Sequence, residues 1–131
     1  MESYAWDTDT RVGALPAIGA EINIHEFDYS KTHVVFEENG VKITSFPAVH
    51  LFDGAVSLKL EWNGLTFVYS GDTTPSQFFI DNAKGADVVV HETFGTIRQN
   101  IELQGWDRAN SSLVSARVHT PPAAAPDTRT V

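Results

Sequence analysis

The chain has 131 residues, 42% of them apolar, so it is long enough for one domain with its own core. Its formal net charge is −8 and its nine Lys and Arg residues are scattered, which leaves no basic stripe for a phosphate backbone and disfavours nucleic acid as a substrate. Because cysteine is absent, disulfides and thiolate zinc sites are excluded, and any metal must be held by His, Asp or Glu.

The amino terminus lacks the features of a targeting segment. Residues 1–13 have neither the basic region nor the apolar core of a signal peptide, and no apolar run reaches the roughly 18 residues of a membrane helix. We therefore expect a cytoplasmic protein without a membrane segment. Turn-forming residues predict an irregular lead-in over residues 1–20, one domain over residues 21–125 and a polar tail over residues 126–131.

Two hairpins are the clearest structural signal in the first half of the chain. Short apolar runs predict strands over Glu21–Phe27, Thr32–Glu37, Val41–Phe46, Ala55–Glu61 and Leu65–Ser70. Asn39-Gly40 and Asn63-Gly64 each separate two of these strands, and Asn-Gly between apolar runs is typical of a tight hairpin turn. The sequence therefore predicts two antiparallel pairs.

The pattern then changes to a helix followed by another strand. Thr73 or Thr74 can cap a helix that has Pro75 in its first turn and ends near Gly85. Asp87–Val90 is predicted to be a buried strand, parallel to the preceding one and joined to it by this crossover helix. Further helices are predicted for Thr96–Leu103, for Ser111–Val118 and from Thr120 onward. The whole pattern indicates an α/β fold with a mixed sheet.

Polar residues directly follow two of the predicted strands. Ser70–Thr73 follows one strand and His91–Thr93 follows the next. Open α/β sheets bind ligands at the carboxyl ends of their strands, and the second hairpin should return the chain to the end where His50 lies. Gly71 lets the backbone turn sharply and leaves the carboxylate of Asp72 free to face a ligand. We therefore interpret Asp72 as the centre of a site, with His50 beside it.

The other histidines are weaker candidates. A solvent-facing position is favoured for His25, which falls on the polar side of an alternating strand, and for His33, which lies at the start of the next strand. His50 considered alone would also be a surface residue. For His91 a hydrogen bond that closes the strand end is preferred to a metal-ligand role.

Four short motifs carry a family resemblance. They are His50 in a His50-x-x-x-Gly54 loop, Tyr69–Thr73, Val90–Phe94 and His119-Thr120. In this order they resemble the carboxy-terminal half of the metallo-β-lactamase superfamily, and especially its ribonuclease Z-like metallo-hydrolases, over roughly Val41–Ala125. The resemblance implies half of an αββα sandwich. It also implies hydrolysis of a small ester or lactam-type substrate by water that a dinuclear zinc site activates.

The resemblance implies a role for each of four residues. His50 would bind one metal, and Asp72 would bridge two. His119 would act near the leaving group, oriented by Glu92. The side-chain chemistry agrees with these roles, because a carboxylate can offer one oxygen to each of two zinc ions and a glutamate bonded to a histidine raises its basicity.

The chain departs from the family pattern in its metal ligands. Superfamily members hold most of their metal through an H-x-H-x-D-H cluster in the amino-terminal half, whereas no two histidines here are separated by a single residue. We therefore expect an incomplete protein that binds zinc weakly or not at all. The alternative function is a non-catalytic binding or assembly domain that keeps the fold.

An incomplete sandwich should leave one face of the sheet uncovered. We expect this face to be built from residues such as Val56, Leu58, Phe67, Val68 and Val88. Each large apolar side chain left exposed forfeits about 1.5 to 3 kcal/mol. The chain should therefore dimerise, pair with a complementary amino-terminal half or aggregate.

Overall fold

The computed structural model of the protein describes residues 24–124. In this range the chain forms five strands, three α-helices and a final 3₁₀ turn: β1 (His33–Glu38), β2 (Val41–Pro47), β3 (Val56–Trp62), β4 (Leu65–Tyr69), α1 (Gln77–Ala83), β5 (Val88–Val90), α2 (Ile97–Gln104), α3 (Arg108–Arg117) and the turn Pro122–Ala124. The predicted α/β fold with a mixed sheet is confirmed. The expected lead-in and polar tail lie outside the described residues.

The five strands form one mixed sheet in the order β1-β2-β3-β4-β5. The first three pairings are antiparallel, and β4 pairs with β5 in parallel. Helix α1 makes the connection between the two parallel strands, as the sequence predicts. Strands β2 and β3 are in register along their whole length, from Val41 opposite Trp62 to Pro47 opposite Val56.

Both hairpin turns have the geometry that their sequences favour. Asn39 and Gly40 have φ of 53° and 78°, and Asn63 and Gly64 have φ of 50° and 78°. Positive φ at both central residues defines the turn whose twist matches the flanking strands. The two predicted hairpins are therefore confirmed.

Two boundaries differ from the prediction. A strand is predicted over Glu21–Phe27, of which residues 21–23 lie outside the described residues. Ile24–Phe27 are exposed and do not form a strand, despite their alternating pattern. Helix α1 begins after Ser76, whose hydroxyl accepts from the amide of Phe79, so neither Thr73 nor Thr74 is its cap. Thr73 is instead fully buried and engaged elsewhere.

The later helices follow the predicted pattern more closely. Thr96 caps α2 through a reciprocal pair of hydrogen bonds with Gln99, and Asp107 caps α3. Thr120 was expected to cap a helix, but its hydroxyl donates to the carbonyl of Thr73 at 2.7 Å and only the 3₁₀ turn follows. No helix within residues 24–124 is long and apolar enough to cross a bilayer.

One face of the sheet is covered by α1. Phe46 on β2 and Val68 on β4 are fully buried there, together with Phe79 and Ala83 of the helix. The rings of Phe46 and Phe79 lie 6.2 Å apart. We call this side the covered face, and it holds the buried apolar core of the described residues.

The opposite side, which we call the open face, is apolar but exposed. Its exposed members are Phe36, Trp62, Leu65, Phe67, Tyr69, Val88 and Val90, with exposed fractions between 37% and 55%. Register places them together, since Trp62 lies opposite Leu65 and Phe67 is level with Val88.

Two sequence predictions about these faces need correction. Val68 was expected on the uncovered face, but side chains alternate along a strand, so Val68 points away from Phe67 and into the core. Strand β5 was expected to be buried, yet Val88 and Val90 are exposed and only Val89 faces the core. Val56 and Leu58 are half-buried on the side of the open face.

Candidate metal centre

Four loops meet at one edge of the sheet. They follow β2, β4, β5 and α3, and they carry His50, Asp72, Glu92 and His119 respectively. One ligand atom each of His50, Asp72 and His119 lies within 4.8 Å of the others. The structure thus brings together three residues that are far apart in the sequence.

The three side chains form a site open to solvent on one side. Asp72 is exposed, whereas His50 and His119 are half-buried. The two imidazole rings meet edge to face with centroids 5.9 Å apart. Two nitrogen donors and one carboxylate oxygen are ligands that Zn²⁺ accepts, and three such ligands would leave a position for water.

The backbone at the end of β4 sets the direction of Asp72. The hydroxyl of Ser57 donates to the carbonyl of Ser70 at 2.6 Å, and the amide of Ser70 donates to the carbonyl of Val90 at 3.0 Å. Gly71 then adopts φ of 62°, and a Cβ added there would lie 2.2 Å from the carbonyl oxygen of Val56. Only glycine fits this turn, so the predicted role of Gly71 agrees with the geometry.

Glu92 ties two of the loops to the site. Its Oε1 lies 3.2 Å from Nδ1 of His119, and it accepts from the amides of Thr73 at 3.2 Å and Thr120 at 3.1 Å. As a carboxylate, Glu92 accepts the Nδ1 hydrogen and leaves Nε2 of His119 with a free lone pair. This is the pairing that the family resemblance implies for the two residues.

Aromatic side chains hold the ring of His119 on its other side. Phe94 stacks on His119 with centroids 4.7 Å apart and planes inclined by 20°. Trp106 stacks on Phe94 at 5.9 Å. The imidazole is therefore fixed both by a carboxylate in its plane and by a ring against its face.

The ring of His50 offers a test of whether a metal fits. Its Nε2 is buried and finds no hydrogen-bond partner among residues 24–124, which is unfavourable unless something binds there. Its Nδ1 accepts from the amide of Phe52 at 3.2 Å, so Nε2 carries the proton in this arrangement. A metal at Nε2 would take the place of that proton, and Nδ1 would no longer accept from the amide of Phe52. A metal therefore fits the unpartnered Nε2 of His50, at the cost of this one hydrogen bond.

The remaining described histidines lie outside this cluster. Nδ1 of His91 donates to the carbonyl of Glu92 at 2.7 Å, and the ring packs edge-on against Phe79 at 4.8 Å, as expected for a structural residue. His25 is exposed. His33 is half-buried against Phe27, so the expectation of a solvent-facing residue is wrong for it.

Sequence reasoning missed three residues that shape the site. Thr73 and Thr120 are fully buried and hydrogen-bonded to one another, and Phe94 supports His119. Thr73 and Thr120 each follow a candidate ligand directly in the sequence. Their position directly after Asp72 and His119 is the sequence feature that could have identified them as part of the site.

Comparison with known proteins gives a partial match. No family model matches the chain. A ribonuclease Z from Ignicoccus hospitalis (strain KIN4/I / DSM 18386 / JCM 14125) is 36% identical over 56 residues, which are 43% of this chain and 18% of that protein. The metallo-β-lactamase fold protein YhfI from Bacillus subtilis is 17% identical with a TM-score of 0.40, over 53% of this chain and 26% of its own.

The chain thus spans about a fifth of the length of the curated relative that it matches. The match supports the similarity of this chain to the ribonuclease Z-like branch of the metallo-β-lactamase superfamily.

Proposed function

We propose that this chain supplies part of the zinc site of a metallo-hydrolase of the metallo-β-lactamase type. The observation that carries the proposal is the convergence of His50, Asp72 and His119 within 4.8 Å at the carboxyl edge of the sheet. The resemblance to ribonuclease Z-like metallo-hydrolases supports the same reaction class. A dinuclear site would need further ligands besides these three.

Each residue has a distinct role in this proposal. His50 and Asp72 would bind metal, with Asp72 able to share its two oxygens between two ions. His119, held through Nδ1 by Glu92 at 3.2 Å, would first take up a proton on the lone pair of Nε2 and then donate it to the leaving group. Bound zinc would supply Lewis acidity and a water molecule that ionises near neutral pH.

The proposed substrate is a small ester or lactam. The matched relative is named a ribonuclease Z, but the net charge of −8 on this chain opposes the approach of a polyanion.

A cytoplasmic location remains a prediction from the sequence.

Metal titration of the purified chain tests the proposal. Zinc affinity should fall at least about 100-fold in His50→Ala and Asp72→Ala, more than the 10- to 100-fold typical of an outer partner. Asp53→Ala and His25→Ala are matched controls, because both residues are exposed and lie outside the cluster. Equal zinc binding by all four variants, or none by the wild-type chain, would rule out the site.

His119→Ala separates two roles that the geometry permits. If His119 is a proton donor, zinc content stays near the wild-type value while turnover of a p-nitrophenyl ester or a chromogenic lactam falls in a preparation that has such activity. Loss of zinc from His119→Ala would make it a ligand instead. That result would contradict the proton-donor assignment but leave the metal centre standing.

The open face favours a second candidate function, which is assembly. Seven large apolar side chains on this face are exposed by 37% to 55%, and contiguous exposed apolar patches mark interaction sites. Flat sheet faces pack against one another about 10 Å apart, so we propose a second copy of this chain as the occupant.

Light scattering at several concentrations tests this candidate. The wild-type chain should be a dimer, and Phe67→Lys should shift it to monomer by placing a charge within the interface. Leu103→Lys is the control, because Leu103 is 80% exposed and belongs to α2, not to the sheet. A monodisperse wild-type monomer would refute self-association, and binding only to a complementary half would identify a different occupant.

A further inference from the structure

The residues that adjoin His50, Asp72 and His119 in the sequence are hydrogen-bonded to one another. Val49 precedes His50, Thr73 follows Asp72, and Thr120 follows His119. These three neighbours are joined directly by hydrogen bonds, with Thr73 in the middle. We propose that Thr73 is the positioning residue that holds His50, Asp72 and His119 together in the site, an inference that rests on the metal centre proposed above.

The side chain of Thr73 fixes the loop that carries His50. Its Oγ1 accepts from the amide of Val49 at 3.1 Å and donates to the carbonyl of Thr74 at 2.8 Å. The amide of Thr74 in turn donates to the carbonyl of Val49 at 2.7 Å. Both backbone groups of Val49 are therefore bound by the Thr73-Thr74 pair, which fixes the chain immediately before His50.

The backbone of Thr73 fixes the loop that carries His119. Its carbonyl accepts from the hydroxyl of Thr120 at 2.7 Å, and its amide donates to Oε1 of Glu92 at 3.2 Å. The same oxygen of Glu92 accepts from the amide of Thr120. Thr120 is thereby held at two points, directly after His119.

Burial makes the hydrogen bonds of Thr73 and Thr120 costly to lose. Thr73 and Thr120 are both 0% exposed, so water cannot replace a hydrogen bond that either of them loses. The amide, carbonyl and hydroxyl of Thr73 are each used, and each reaches a different segment of the chain. Removal of the hydroxyl should therefore loosen the loop that carries His50, while the backbone amide and carbonyl of Thr73 still hold Glu92 and Thr120.

The test compares Thr73→Val, which keeps the shape and removes the hydroxyl, with Thr73→Ser, which restores it. Zinc affinity should fall about 10- to 100-fold in Thr73→Val and recover to within about threefold in Thr73→Ser. Thr44→Val makes the same chemical change on half-buried β2 and should leave zinc affinity unchanged. Amide spectra of β2 and β4 show whether each variant keeps the sheet.

Amide exchange in the metal-free chain provides a second measurement. Thr73→Val should speed exchange at the Val49 amide by at least about tenfold, because the hydroxyl is its acceptor, while amides within β3 stay protected. If the wild-type chain binds no zinc, the metal centre fails, and this exchange still decides whether Thr73 holds the loop. Unchanged exchange and unchanged zinc affinity in a folded Thr73→Val variant would overturn the proposal.

Discussion

The two ends of the sheet are built in different ways. At the turn end, Asn39-Gly40 and Asn63-Gly64 close hairpins with residues adjacent in the sequence. At the site end, the loops carrying His50, Asp72, Glu92 and His119 are held by hydrogen bonds between residues 19 to 47 positions apart. The turn end is specified locally, whereas the site end depends on the completed fold.

The largest contrast should come from glycine replacements at the two ends. In Gly71→Ala the new Cβ would meet the carbonyl of Val56 at 2.2 Å, whereas in Gly64→Ala nothing lies within 4 Å. Both variants bear the strain of positive φ, about 1 to 2 kcal/mol. We expect Gly71→Ala to lower the free energy of unfolding by about 3 kcal/mol or more and Gly64→Ala by only that strain, as measured by urea unfolding. Similar losses in both would contradict the contrast.

The second-largest contrast should be in the stability lost when the carboxylates at the two ends of β5 are removed. Glu92 is little exposed and its Oε1 has three donors, whereas exposed Asp87 accepts one hydrogen bond, from the amide of Thr66 at 2.7 Å. Glu92→Ala should cost about 2 to 3 kcal/mol and Asp87→Ala about 1 kcal/mol.

The same two variants, Glu92→Ala and Asp87→Ala, should also differ in zinc affinity. Glu92→Ala should weaken zinc binding, since the loops of Asp72 and His119 lose their common acceptor, and Asp87→Ala should not. A loss of affinity in Asp87→Ala would show that the two ends are coupled after all.

The smallest effect should come from the turn asparagines. Asn63→Ala places alanine at φ of 50°, which should cost about 1 kcal/mol because alanine lacks the local hydrogen bonding that lets asparagine adopt this conformation. Asn39→Ala is the matched variant in the other hairpin. Both should leave zinc affinity within error of the wild-type chain, and a drop in either would mean that the turn end shapes the site.

The same division explains what the sequence could predict. The Asn-Gly turns, the crossover and the approach of His50 to Asp72 follow from short patterns and strand direction. The capping position of Ser76 was missed because Thr73 offers an equally good local pattern, and only its burial in the folded chain shows that it is engaged elsewhere. The strand predicted over Glu21–Phe27 does not form in its described part, Ile24–Phe27, because an alternating pattern does not by itself supply a neighbouring strand to pair with.

The hydrogen-bond partners of Thr73 could not be predicted from the sequence. Its partners Val49, Glu92 and Thr120 are separated from it by 24, 19 and 47 positions. No periodicity connects such residues, whereas the pairing of Glu92 with His119 could be expected from the family resemblance. The orientation of Val68 was predictable from strand alternation.

The stack of Trp106 on Phe94 and of Phe94 on His119 places a fluorophore two rings away from the candidate metal centre. Trp62, in contrast, lies on the open face and is half exposed. Emission from the two indoles should therefore report different events. In a chain with Trp6 and Trp62 replaced by phenylalanine, Trp106 becomes an optical reporter of the metal centre, and in a chain that keeps Trp62 alone, a blue shift of its emission reports that the open face has become covered.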